Sequence, residues 1–340
     1  MSIERLRAHY GFGRTPFGRD LAPGMLHRHR AHAEAVARIT YLVGERALGV
    51  VTGEVGAGKT VAARAATSAL DPTRHTIIYL ANPAVGTRGV YQAIIRALGA
   101  VPRFHKAALI HQAGELLAAE EAERGRRVVL VVDEGHLLST EQLEELRLLT
   151  NTDMDARSPF ACVLLGQPTL RRRIRLGAFA ALDQRIALRY ELTGMDLQET
   201  AGYVKHHLQL AGRSDPLFSD DATALIHQTS RGIPRAVNNL AVQALVAAFA
   251  DGKQIVDESS VRAAVTEVTA EPRSPPTDLH GDTRDAHSLW PWASSRPPTN
   301  ITPPRRHQPT CRRHHHSARR ATQVTGRVSP STRFLSGAHW

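Results

Sequence analysis

The residues of this sequence that are best suited to chemistry lie in one glycine-rich octapeptide. Its members are Gly53, Glu54, Val55, Gly56, Ala57, Gly58, Lys59 and Thr60. They match the pattern G-x-x-x-x-G-K-[ST], in which glycines let backbone N–H groups surround phosphate oxygens while the lysine reaches the outer phosphates. The threonine hydroxyl suits Mg²⁺, which prefers oxygen ligands and keeps most of its waters. The octapeptide therefore predicts a site for the phosphates of a nucleotide and a magnesium ion.

An acidic pair, Asp133 and Glu134, provides the second half of the expected chemistry. It ends the apolar run 128–132, whose lack of polar alternation is typical of a central parallel strand buried on both faces. Asp133 at the tip of that strand can hold the water shell of the magnesium ion, so Thr60 and Asp133 are the expected metal ligands. Glu134 points to the other side and can orient an attacking water. The pair therefore predicts hydrolysis of the bound phosphate chain.

The elements that must position these residues alternate between strand and helix up to about residue 194. The expected strands cover residues 47–52, 76–81, 127–133, 160–166 and 189–192. The expected helices cover about 29–43, 87–98 and 107–124, with two more beginning near Lys59 and after Ser139. Four further helices, about 196–211, 219–228, 233–251 and 257–269, follow without strands between them. This order predicts an α/β fold with a wound parallel sheet flanked by helices, followed by a small all-helical lid.

The expected domain organisation has four parts. They are an N-terminal linker and helix (1–45), a nucleotide-binding core (46–194), a helical lid (195–271) and a disordered basic tail rich in Pro, Arg and His (272–340). The tail holds 11 Arg against 3 Asp, which is most of the net charge of +11, so charge alone does not predict DNA binding by the core. The tail has two interpretations: an arm that contacts phosphates, or a frameshifted or read-through C-terminus.

Composition argues against several other classes of protein. The two cysteines, Cys162 and Cys311, are too few and too far apart for a disulfide framework. The longest apolar runs are about half a dozen residues, whereas a membrane-spanning helix needs roughly 20. The N-terminus has no apolar segment or cleavage site typical of a secretory signal. These features predict a cytoplasmic protein with no membrane partner.

Further motifs, in the order in which they occur, resemble those of AAA+ ATPases. More narrowly, they are similar to the ExeA-like and TniB-like branch, which is found in bacterial secretion and in transposition modules. The motifs are Tyr10-Gly-Phe-Gly-Arg-Thr-Pro16-Phe17, Leu164-Leu-Gly-Gln-Pro168, Leu182-Asp-Gln-Arg-Ile186 and Gly232-Ile-Pro-Arg235. The resemblance covers roughly residues 8–265. It implies a P-loop NTPase (AAA+) fold, ATP as the nucleotide, hydrolysis to ADP and phosphate, and a homo-oligomer with ATP at the subunit interfaces.

The resemblance also implies roles for three polar residues. Gln167 resembles a polar sensor beside Glu134, Arg185 resembles an arginine finger offered to the ATP of a neighbouring subunit, and Arg235 resembles a second sensor that reaches ATP from the lid. With Glu134, these are the expected catalytic residues. Each has a simpler alternative: a loop glutamine, a surface salt bridge, and a helix-start arginine with local contacts.

Three functions are compatible with this ATPase machinery. The first is a mobile-element ATPase that assembles on duplex DNA and recruits or regulates a transposase. The second is a secretion-type ATPase at the cell envelope. The third is a nucleotide-dependent signalling or scaffold switch in which hydrolysis acts as a timer. The first is favoured, because secretion members of this branch carry a membrane helix and a wall-binding module beyond the ATPase, and this sequence has neither.

Overall fold

The computed structural model describes residues 2–18, 22–151 and 158–269. The tail, including Cys311, lies outside this part of the chain. The strands are β1 (Leu48–Gly53), β2 (His75–Leu80), β3 (Arg127–Val132), β4 (Phe160–Gly166) and β5 (Ile186–Leu192). The helices are α1 (Ile3–Tyr10), α2 (Arg30–Gly44), α3 (Lys59–Ser68), α4 (Gly86–Ala97), α5 (Lys106–Ala122), α6 (Thr140–Leu149), α7 (Pro168–Ile174), α8 (Ala180–Arg185), α9 (Leu197–Leu210), α10 (Asp220–Ser230), α11 (Pro234–Ala250) and α12 (Glu258–Thr269).

The five strands form one sheet in the order β2-β3-β4-β1-β5, and every pair is parallel. The wound parallel sheet predicted from the sequence is therefore confirmed. β1 lies between β4 and β5, with Val50 opposite Leu164 on one side and Arg189 on the other. Because all strands run the same way, the loops that follow β1, β3 and β4 meet at one edge of the sheet. That edge carries the glycine-rich loop and the acidic pair.

Apolar side chains on both faces of the sheet explain why its central strands lack polar alternation. Successive residues of a strand point to opposite faces. Leu130 of β3 therefore joins a core with helices α4, α5 and α6, whereas its neighbours Val129 and Val131 join a core with α2 and α3. The sheet is thus held between two helical layers, and the position of Asp133 at its edge is fixed from both sides.

The helices after β5 build a separate hydrophobic core, which also includes the N-terminal helix. Leu6 and Tyr10 of α1, together with Phe12 and Phe17, are buried among residues of α9, α10, α11 and α12. The Tyr10 hydroxyl donates to the carbonyl of Lys253 at 3.2 Å, beyond the end of α11. Sequence reasoning did not identify α1, so the association of the N-terminal segment with the helical part is a finding of the structure.

Local capping signals correctly marked several helix starts. Ser139 and Gln142 form the capping box expected at α6: the Ser139 hydroxyl accepts from the Gln142 N–H at 3.2 Å, and the Gln142 side chain accepts from the Ser139 N–H at 2.9 Å. Asp196 caps α9 in the same way, with Glu199 as the third residue. The short helices α7 and α8 were not expected. Within the described residues, no helix combines the length and the apolar character that crossing a membrane requires.

Candidate functional site

The glycine-rich octapeptide forms the turn between β1 and α3, at the edge of the sheet where the strands end. Gly56 and Gly58 have φ angles of +84° and +99°, which L side chains rarely adopt. A Cβ on Gly56 would also lie 2.5 Å from Cβ of Arg235. The loop therefore requires glycine at these positions, and its backbone ends at the first turn of α3, where free N–H groups attract anions.

Lys59 is almost fully buried beneath this loop. Its ammonium donates to the carbonyl oxygens of Gly53 and Glu54 at 2.9 Å each. Burial lowers the pKa of Lys59, while the nearby carboxylates of Glu134 and Asp133 partly oppose that effect. The Lys59 side chain thus lies between the loop and the acidic pair, in the place where a phosphate chain would meet it.

Thr60 and Asp133 meet directly, although 73 positions separate them in the sequence. The Thr60 hydroxyl donates to Oδ2 of Asp133 at 2.6 Å. The Tyr79 hydroxyl, at the end of β2, donates to the same oxygen at 2.8 Å, and burial together with this bond raises the pKa of Tyr79 to about 12. A hydroxyl and a carboxylate at this separation fit Mg²⁺, which takes few protein oxygens alongside water and phosphate. Sequence reasoning missed Tyr79, because an exposed strand residue gives no local signal.

Glu134 lies next to Asp133 in the left-handed backbone region, with a φ of +49°. Its side chain is half exposed, and its Oε2 lies 3.3 Å from Nδ1 of His136 without forming a hydrogen bond. The other ring nitrogen of His136 lies 3.0 Å from Nε2 of Gln167, the residue immediately before α7. The Arg173 guanidinium fixes the turn by donating to the carbonyls of His136 and Leu138. Glu134, His136 and Gln167 thus form one polar group beside the loop.

One cavity of about 550 Å³ brings most of the expected site residues together. Val55, Gly56, Ala57, Gly58, Lys59, Thr60, Asp133, Glu134, Gln167 and Arg235 all line it. Arg235 is the second residue of α11 and lines the cavity from the helical part. Its N–H donates to the carbonyl of Gly56 at 3.3 Å. Gly53 and Glu54 lie outside the lining but hold Lys59. The roles inferred from the resemblance remain predictions, although the placement is compatible with them.

Among the expected catalytic residues, Arg185 is the one that does not line this cavity. It is the last residue of α8, half-buried, and directly precedes β5. A residue that acts on the site of a neighbouring subunit need not reach the cavity of its own chain, so its expected role as a finger stays a prediction.

The far end of the cavity holds residues that sequence reasoning did not assign to the site. His29 and His32 from the start of α2, Tyr203 and His207 from α9, and Asn238 from α11 line it. They come from segments about 170 to 200 positions apart, which explains why no local pattern revealed them. The cavity is therefore longer than a phosphate site alone, and its second half is lined by aromatic and uncharged polar groups.

Comparison with known proteins agrees with this architecture. Residues 43–174 match the family described as the AAA domain. General secretion pathway protein A of Aeromonas hydrophila is 34% identical over 264 residues, which cover 76% of this chain and 48% of the relative. The chain thus spans about half the length of that curated relative.

Solved structures share the fold at low sequence identity. Cdc6p from Pyrobaculum aerophilum has a TM-score of 0.57 and 18% identity over 74% of this chain and 70% of that one. The Drosophila ORC bound to DNA has a TM-score of 0.56 and 19% identity over 78% and 66%. The Aeropyrum pernix ORC2 protein in ADPNP–ADP complexes has a TM-score of 0.54 and 20% identity over 75% and 71%. Residues 43–174 therefore carry an AAA domain, in a chain that is similar over 264 residues to the secretion-pathway protein and so to the ExeA-like branch of the AAA+ proteins.

Proposed function

We propose that this chain binds ATP with Mg²⁺ and hydrolyses it to ADP and phosphate. The observation that carries the proposal is the 2.6 Å bond between Thr60 and Asp133, which joins the glycine-rich loop to the acidic strand end beside Lys59. A loop for phosphates, a buried cation and a carboxylate pair then share one cavity. This combination is what positioning and charge stabilisation of a transferring phosphoryl group require.

In the proposed reaction, backbone N–H groups of the loop and the Lys59 ammonium bind the phosphate oxygens. Magnesium, when bound at Thr60 and Asp133, would neutralise part of the phosphate charge. Glu134 orients a water and accepts its proton as the water oxygen attacks the terminal phosphorus. The bond from that phosphorus to the oxygen of the departing ADP breaks at the same time. Gln167 and Arg235 contact the terminal phosphate, and Arg185 of a neighbouring subunit stabilises the charge that develops on it.

We infer that the active form is a homo-oligomer with ATP between subunits, acting in the cytoplasm, where a chain with two cysteines is expected. The favoured partner is duplex DNA, with a transposase as the protein that the assembly recruits or regulates. Support for DNA comes from the fold shared with the Drosophila ORC, whose structure is described as bound to DNA. A second candidate is a secretion role, favoured by the 34% identity to general secretion pathway protein A.

The experiment measures retention of labelled ATP in the presence of Mg²⁺, and then turnover with and without duplex DNA at several salt concentrations. Lys59→Ala should lose retention, whereas Lys205→Ala, an exposed lysine on α9, should keep it when DNA is absent. Stimulation by DNA that weakens as salt rises would support an assembly that contacts the phosphate backbone. No retention by the parent protein would overturn the whole proposal. If turnover is the same with and without duplex DNA, the proposed DNA partner is wrong, and the secretion role or the nucleotide-dependent switch is favoured.

A further inference from the structure

The His136 ring lies between Glu134 and Gln167 and faces each of them with one ring nitrogen. Nδ1 is 3.3 Å from Oε2 of Glu134, and Nε2 is 3.0 Å from Nε2 of Gln167. Only 16% of the His136 side chain is exposed, compared with 51% of the Glu134 side chain. The imidazole is therefore more confined than the carboxylate beside it.

The turn that carries His136 is fixed by helix α7. The Arg173 guanidinium donates to the carbonyl oxygens of His136 and Leu138 at 2.9 and 2.8 Å. Gln167 immediately precedes the same helix, so this segment contacts both the backbone and the ring of His136. These contacts set the position of the imidazole independently of Glu134.

The contact with Gln167 decides which ring nitrogen of His136 carries the proton. An amide nitrogen donates and does not accept, so Nε2 of His136 accepts from Gln167. In the neutral ring the proton is then on Nδ1, the nitrogen that faces Glu134. Turning the Gln167 amide around would move that proton to Nε2. The bare Nδ1 would then face the carboxylate, which places two acceptors together and is unfavourable.

Nδ1 of His136 is closed to water and has no hydrogen bond within the part of the chain that the structure describes. A buried donor without an acceptor destabilises a protein, and native structures rarely keep one. Oε2 of Glu134 lies 3.3 Å away, on a half-exposed side chain that has room to turn. A small rotation of this side chain therefore completes an N–H···O bond between the two residues.

We propose that His136 is a positioning residue for Glu134. Its Nδ1–H binds one carboxylate oxygen, Oε2, and leaves Oε1 to accept the proton of the attacking water. The inference rests on the proposed ATP hydrolysis, in which Glu134 orients that water. His136 keeps its own proton throughout, and Gln167 contributes by keeping that proton on Nδ1. Because a group held in one orientation accelerates the chemical step, the expected sign is a change in kcat without a change in ATP affinity.

The test replaces His136 by residues that reproduce one ring nitrogen or neither. The amide nitrogen of asparagine is bonded to Cγ, as Nδ1 of histidine is, whereas the amide nitrogen of glutamine reaches the position of Nε2. His136→Ala and His136→Gln should lower kcat about tenfold, the scale of one hydrogen bond to a charged group, with ATP affinity within about twofold of the parent protein. His136→Asn should stay within about threefold of the parental kcat. His111→Ala, at an exposed histidine of α5, should match the parent protein.

A second comparison shows whether His136 acts through Glu134. In a Glu134→Gln background, the further change His136→Ala should lower the single-turnover rate by less than about twofold, because the carboxylate that His136 positions is gone. Urea denaturation checks that every variant folds. If His136→Ala does not fold, the comparison of His136→Gln with His136→Asn carries the test, and His136→Gln replaces it in the Glu134→Gln background.

Equal kcat values for His136→Asn and His136→Gln would overturn the inference, because the place of the donor would not matter. Parental kcat in His136→Ala would also overturn it. A tenfold loss that persists in the Glu134→Gln background would do the same, since it would then come from the fold or from another group. Absence of ATP hydrolysis by the parent protein would instead overturn the proposed function. A loss of kcat that asparagine prevents, and that disappears without the Glu134 carboxylate, supports the inference.

Discussion

The backbone N–H of Arg235 donates to the carbonyl of Gly56 at 3.3 Å, so the first residues of α11 rest directly on the glycine-rich loop. Gly56 has a φ of +84°, and a Cβ at that position would lie 2.5 Å from Cβ of Arg235. No other residue type could bring the two backbones this close. Movement of the loop around a phosphate would therefore be transmitted to the helical part at this contact.

Gly56→Ala should destabilise the protein and weaken nucleotide binding. The new methyl group requires an unfavourable backbone conformation and pushes against Arg235, so we expect a loss of about 1–3 kcal/mol in the free energy of unfolding. Urea denaturation measures that loss, and titration with ATP measures the affinity. Gly114→Ala in α5 is the matched control: it has open space and no positive φ, and should stabilise the protein slightly. Equal effects of the two substitutions would contradict the expectation.

Glu134→Gln should keep ATP binding but reduce turnover at least ~10²-fold, since the amide cannot accept the proton of the attacking water. Single-turnover hydrolysis and equilibrium binding separate the two quantities. Glu115→Gln, an exposed carboxylate on α5, should behave like the parent protein. Turnover at the parental rate in Glu134→Gln would show that another group activates the water.

Arg185→Ala should lose ATP hydrolysis, and mixing it with a second inactive variant should restore part of the hydrolysis rate. If the guanidinium acts on the ATP of a neighbour, mixing Arg185→Ala with Asp133→Asn gives some interfaces with an intact acidic pair on one side and an intact arginine on the other. The measured activity of mixtures should exceed the sum of the two components. A mixture of Arg185→Ala with the double variant Arg185→Ala/Asp133→Asn has no such interface and serves as the control. Failure of rescue at every mixing ratio would argue against action between subunits.

Stability should fall as the pH drops from about 6.5 towards 4. Burial lowers the pKa of His32 and of His207 to about 4, the latter with help from His206, His27 and Arg14. Between pH 4 and the ordinary histidine pKa of 6.5, the unfolded chain binds protons that the folded protein excludes. The free energy of unfolding is therefore unaffected by these two histidines above pH 6.5 and decreases progressively as the pH falls from 6.5 towards 4. Each histidine accounts for about 3 kcal/mol at most. Urea denaturation from pH 7.5 to 4.5 measures the slope.

A His207→Phe variant provides the control for this pH dependence. Phenylalanine can keep the packing against Phe17 and Tyr203 but cannot titrate. Its stability should therefore decline less steeply below pH 6.5 than that of the parent protein. An identical slope would mean that other groups dominate the acid sensitivity.

Much of the fold could be predicted from the sequence, because its signals are local. The apolar run 128–132 before Asp133 and the octapeptide around Lys59 each mark a strand, a turn and a helix within a few residues. The structure contains those elements at nearly the expected positions. The capping box at Ser139 correctly predicted the residue at which α6 begins. The short helices α7 and α8 escaped notice because six or seven residues hold fewer than two turns of periodic pattern.

The distant half of the cavity could not be predicted, because its residues meet only after folding. His32 and Asn238 belong to helices more than 200 positions apart, and neither has a sequence neighbour that suggests a binding role. Tyr79 reaches Asp133 across two adjacent strands for the same reason. The placement of Gln167 and Arg235 at the cavity agrees with the resemblance, while their chemical roles await the kinetic tests.

The packing of α1 into the helical core means that the lid is not a continuous stretch of sequence. A fragment starting at residue 195 would expose to water the surfaces that Leu6, Tyr10, Phe12 and Phe17 now cover. Splitting the chain between the sheet and the helices would therefore yield an incomplete C-terminal fragment that is prone to aggregation. A circularly permuted or fused polypeptide that restores residues 2–17 to that piece would cover those surfaces again.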